Sequence, residues 1–230
     1  YLAVAMVLYR RKQENQRLLG EAFLALGVVF GTLSIPLALD GRWTAATWAL
    51  EGAAIVWIGA RQSRWLARAF GILLQFGAGV AFLDGWSSRI GQIPLLNSQY
   101  LGSVFIAVAG LFSSWYLSHR VSERKSLEKP IAAVLFAWGL VWWLGGAVGE
   151  IDRLFGSPTS FYITIIFFAA TALALALIER RFDWALAKLP ALGLIIALAV
   201  FAILNLLVAS HPLGNLGIVA WPAAIAVYFW

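Results

Sequence analysis

Long apolar runs, each closed by a short polar break, recur along the whole chain, and that rhythm leaves few folds open. A helix that crosses a bilayer needs about 20 mostly apolar residues. Runs of this kind lie near 20–39, 43–60, 67–86, 99–117, 130–149, 160–178 and 187–209. The tail of another occupies 1–9, and a last one begins near Gly217. Breaks such as Asp40-Gly41, Asp84-Gly85, Gly156-Ser157-Pro158 and His211-Pro212 carry the turn-forming residues expected between helices. Nothing alternates in ten-residue strands, which argues against a membrane β-barrel.

Composition agrees. Hydrophobic residues make up 62% of the chain and charged ones 12%, against about 45–50% and about 25% in soluble domains. The expected fold is all-α: a polytopic transmembrane helix bundle of about eight spans with short loops, one domain over residues 1–230. Because the chain opens on the half-span "YLAVAMVLY" and ends at Trp230 within an apolar run, it is expected to be cut at both ends from a longer chain. Its expected partners are the lipid bilayer and the remaining helices of that chain, with other envelope proteins as further candidates.

The basic residues give an orientation. Arg10, Arg11, Lys12 and Arg17 lie in 10–21, and Arg61, Arg64 and Arg68 in 61–68. Arg120, Arg124, Lys125 and Lys129 lie in 118–130, and Arg180, Arg181 and Lys188 in 179–188. Of the seventeen basic residues only Arg42, Arg89 and Arg153 fall in the other loops. The positive-inside rule puts these four basic loops in the cytoplasm. The net charge of +6 is accounted for by those loops, and no basic, aromatic-lined domain suggests nucleic acid. With no cysteine, disulfides and thiolate metal sites are excluded.

Trp43, Trp65, Trp86, Trp115, Tyr116, Trp184 and Trp221 lie near span ends, where amphipathic rings favour the headgroup level. Small residues at four-residue spacing (Ala45, Ala49 and Ala53; Gly77, Ala81 and Gly85; Gly145 and Gly149) favour close helix packing.

A few polar groups need a reason. Glu51 follows Trp43 by eight residues, roughly 12 Å along a helix, close to the middle of a core about 30 Å thick. Thr44, Thr47 and Trp48 precede it on the same face. An acid at that depth costs at least about 2.5 kcal/mol and normally faces protein or a wet cavity. Glu51, Thr47 and Gln75 are therefore the candidate intramembrane polar site, with Gln75 the first expected partner of Glu51.

Asp40, Arg42, Glu150, Asp152 and Arg153 form a candidate cluster at the non-cytoplasmic face, joined by Asp84, Arg89 and His211. Arg42 is expected beside Asp40 or an acid of the "GEIDR" segment, since arginine binds carboxylates in a bidentate fork. In "FAWGLVWWLGGAVGEIDR", Trp138 and Trp142 lie one turn apart and more simply fill a helix interface than stack on a ligand ring. Gln75 and Asn205 read as interhelical hydrogen-bonding amides. His119 and His211 sit at opposite faces. No catalytic triad, phosphate-binding loop, metal-ligand pair or cofactor motif is present in the sequence, so no catalytic residue, metal or cofactor is assigned.

"IPLALDGRWTAATWALEGAAIVWIG", "WWLGGAVGEIDR" and "HPLGNLGIVAWPAAIAVYFW" together resemble the bacterial family of large predicted membrane proteins called domain of unknown function 2339. The resemblance implies a many-helix inner-membrane protein, longer than this chain, and brings no activity. Three functions stay open: a transporter or channel-like protein using Glu51, a structural scaffold of a cell-envelope complex, and a membrane enzyme acting on a lipid-linked substrate through the outer acids.

Overall fold

A computed structural model describes residues 41–84, 93–120, 128–208, 213–214 and 216–229. The expected runs at 1–9 and 20–39, together with Asp40, Arg89 and His211, lie outside the described residues. The rest is helical: α1 (Gly41–Arg61), α2 (Trp65–Asp84), α3 (Ser98–Arg120), α4 (Glu128–Phe155), α5 (Thr159–Phe182), a 3-10 turn (Ala185–Lys188), α6 (Leu189–Val208) and α7 (Gly217–Phe229).

Among the described residues five segments, not eight, are long and apolar enough to cross a membrane: Trp65–Asp84, Ser98–His119, Lys129–Phe155, Thr159–Phe182 and Ala185–Asn205. One expected span, near 43–60, is not among them. The run expected to begin near Gly217 is α7, 13 described residues with Pro222 inside it. α1 has 21 residues, but Arg42, Thr44, Thr47 and Glu51 dilute its apolar character. Packing against both α2 and α3 buries much of it, so α1 need not be apolar all round.

Glycine sets two of the closest helix contacts. A Cβ on Gly52 would stand 2.6 Å from the Gly71 carbonyl oxygen, bringing α1 against α2. A Cβ on Gly139 would stand 2.8 Å from the Ala107 carbonyl oxygen, bringing α4 against α3. The Ala45, Ala49 and Ala53 stripe is buried as expected. Gly77 and Gly145 are not packing sites: a Cβ on either would meet nothing within 4 Å. Small-residue spacing identifies a smooth face but not whether a neighbour covers it.

Aromatic rings fill the wider gap between α2 and α4. Trp138 and Trp142 meet edge-on at 5.7 Å, Phe76 packs on Trp138 at 4.6 Å, and Phe82 on Trp142 at 5.4 Å. Tyr162, Ile165, Leu194 and Ala220 build a second core joining α5, α6 and α7. Trp184 and Tyr116, expected at the headgroup level, are instead 4% and 8% exposed. The ring of Trp184 packs edge-on against Phe136 at 5.3 Å.

The helices reverse direction in turn, so chain order sorts the loops to two ends. Arg61, Arg64, Lys129, Arg180, Arg181 and Lys188 gather at one, the basic end. Arg42 and Arg153 lie at the other, with the α4–α5 turn and the segment before α3.

Candidate functional site

At the end opposite the basic loops, the chain enters α3 through Ile93–Asn97. Leu95 has φ +62, and the Leu96 N–H donates to the Pro94 carbonyl at 2.7 Å, so a tight turn centres on a leucine. A non-glycine residue held at positive φ costs about 1–3 kcal/mol. The turn aims the Leu95 N–H at Glu150 Oε1, 2.8 Å away.

Asn97 works in two directions. Its Oδ1 accepts the Tyr100 N–H at 2.8 Å, capping the first turn of α3 as an N-cap asparagine does. Its Nδ2 donates to Glu150 Oε2 at 3.0 Å.

Arg153, three residues along α4, completes the set. Its Nη2 donates to Glu150 Oε1 at 2.6 Å and its Nε to Oε2 at 3.0 Å. A carboxylate offers about four lone-pair sites; in Glu150, which is 5% exposed, all four are filled. Arg42 Nη1 donates to Ser98 Oγ at 3.1 Å, tying the start of α1 to the start of α3 beside this knot. Asp40, one of its expected acidic partners, lies outside the described residues.

Glu51 is built differently. It is half-buried in α1, next to the exposed Leu50 and one turn from the exposed Ala54. Thr47 Oγ1 donates to the Trp43 carbonyl of its own helix at 2.7 Å. Gln75, fully buried, packs over Gly52 and donates from Nε2 to Ser113 Oγ at 2.9 Å. Glu51, Thr47 and Gln75 are neighbours that make no hydrogen bond to one another. Gln75 binds α3 rather than the glutamate, because Ser113 is buried against it and the carboxyl is not.

The family described as predicted membrane protein (DUF2339) matches residues 1–230. The chain belongs to that family. No curated protein and no solved structure matches it. Membership in DUF2339 accords with the five apolar helices and assigns no reaction.

In this DUF2339 chain, Asp152 does not join Glu150. It lines a separate cleft with Ser160, Thr164 and Asn205, whereas Glu150 and Arg153 border a pocket of about 90 Å³ shared with Gln99, Tyr100 and Gly146. Sequence reading missed Asn97 and Leu95 as partners of Glu150. An asparagine directly before an apolar helix is an N-cap signature, so the cap was within reach; the contact 53 residues away was not.

Proposed function

We propose that this DUF2339 chain is a structural scaffold: a transmembrane helical frame for a cell-envelope assembly in the bacterial inner membrane, with its basic end in the cytoplasm. One observation carries the reading. Glu150, the most deeply buried acid among the described residues, has every lone pair occupied: two bonds fasten α4 to the entry of α3 and two hold Arg153 of its own helix. A carboxylate that transfers protons or binds a substrate needs a free site, and this one has none. An enzyme at the same face would need Glu150 and Asp152 in one cleft, and they line separate ones.

A second reading, proton or cation transport, draws support from Glu51, a half-buried acid in α1 that no described residue pairs, since an acid carried into a membrane commonly marks an ion or proton path. One substitution separates the two. In a host lacking the gene, the full-length Glu51→Gln variant should restore the wild-type phenotype if the chain is a scaffold, since the amide keeps size and polarity. If Glu51 carries protons, the variant should reach the membrane in normal amount and restore nothing.

A further inference from the structure

Between the end of α4, the first turns of α5 and the end of α6 lies a cleft of about 280 Å³. Asp152, Ser157, Ser160 and Thr164 are polar residues of its lining, and Phe161 and Phe201 make an apolar wall, meeting edge-on at 5.5 Å. Asn205 also lines it. This amide is 1% exposed, and neither its Nδ2 nor its Oδ1 has a hydrogen-bond partner among the described residues. A buried polar group left unpaired costs about 1–3 kcal/mol, and an amide that makes no internal bond does nothing to offset that cost. The sequence suggests that Asn205 bonds a neighbouring helix; among the described residues it bonds none.

From this cleft we infer a binding site for an uncharged, hydroxyl-rich headgroup, a sugar or glycerol, carried on an apolar chain. Three features select that chemistry. Among the described residues no lysine or arginine lines the cleft, so a phosphate would sit uncompensated against the Asp152 carboxylate. A hard cation such as calcium takes six to eight oxygen ligands, commonly with several carboxylates, and among the described residues Asp152 is the only carboxylate in the lining. Hydroxyl groups, by contrast, both donate and accept, matching an amide, three alcohols and a carboxylate at once. The volume lies just below the range of about 300–1,000 Å³ usual for small-molecule sites, which suits a single ring. Thr164 lies five residues into α5, about 8 Å of helix, so the cleft occupies the boundary where a lipid's polar head meets its chain.

The test uses the full-length protein purified in a zwitterionic detergent, with its melting midpoint followed as ligand is added. Monoglucosyl diacylglycerol should raise the midpoint by several degrees, and dioleoyl phosphatidylglycerol should not. Free methyl glucoside distinguishes the sources: a rise with it alone would make the ligand a soluble sugar and overturn the lipid assignment. Asn205→Leu should abolish the glucolipid shift while raising the lipid-free midpoint, because it removes an unpaired buried amide. Should that variant not fold, Thr164→Val decides by itself, and its predicted result is a reduced shift. No shift in the wild type, or an undiminished shift in Thr164→Val, would overturn the site.

Discussion

At the scale of single residues, the Glu150 knot makes an unusual demand on Asn97. Aspartate is normally as good an N-cap as asparagine, so a plain cap would tolerate the exchange. Here the amide Nδ2 donates to Glu150 Oε2, and an aspartate would set a second carboxylate against the first. Asn97→Asp is therefore expected to lower the melting midpoint of the detergent-solubilised protein at least as much as Asn97→Ala. Loss of the cap alone is worth about 0.5–2 kcal/mol. An Asn97→Asp midpoint equal to wild type would mean that the capping bond is all that matters. The sequence made Glu150 and Arg153 legible as helix neighbours, since residues three apart share a face. It could not show that a leucine at positive φ, 55 residues earlier, supplies a third donor, because that contact depends on the tertiary path of the chain.

Helices obey the same distinction between local pattern and partner. Five apolar runs could be read as helices almost to their ends, because length and hydropathy are properties of a segment alone. Which glycines sit in an interface was not legible, because that depends on what lies across from them. Two identical substitutions in α4 expose the difference. Gly139→Ala would drive a methyl group to 2.8 Å from backbone atoms of α3, where only separation of the helices gives relief. Gly145→Ala meets nothing within 4 Å and gains alanine's better helix propensity, about 0.8–1.0 kcal/mol. Melting midpoints should therefore fall for Gly139→Ala and hold or rise for Gly145→Ala. Equal effects would show that α3 and α4 do not approach as closely as described. At the basic end, His119 adds a different tie. Its Nδ1 and Nε2 stand 2.8 Å and 2.7 Å from the Trp115 and Phe182 carbonyls, linking the last turns of α3 and α5.

The whole molecule has two unlike ends, and this much was legible from the spacing of basic residues before any helix was placed. Gln62, in the α1–α2 turn, and Ser157, in the α4–α5 turn, are exposed at opposite ends. The chain has no cysteine, so Gln62→Cys and Ser157→Cys can be labelled without background. An impermeant thiol reagent applied to intact cells should modify Ser157→Cys and spare Gln62→Cys; the reverse would invert the orientation. Glu150 holds such a frame together, and a comparison with its neighbour on α4 tests that role. Glu150 and Asp152 lie two residues apart on α4, the first buried with four hydrogen bonds and the second exposed. Each exchange to the amide removes one negative charge, but only Glu150→Gln turns an N–H group toward existing donors. Leaving a buried donor unpaired costs about 1–3 kcal/mol, and each kcal/mol moves the midpoint of a chain this size by about 2–4 °C. The melting midpoint should drop by several degrees in Glu150→Gln and stay at the wild-type value in Asp152→Asn. Equal midpoints in the two variants would contradict the claim that Glu150 fastens the bundle.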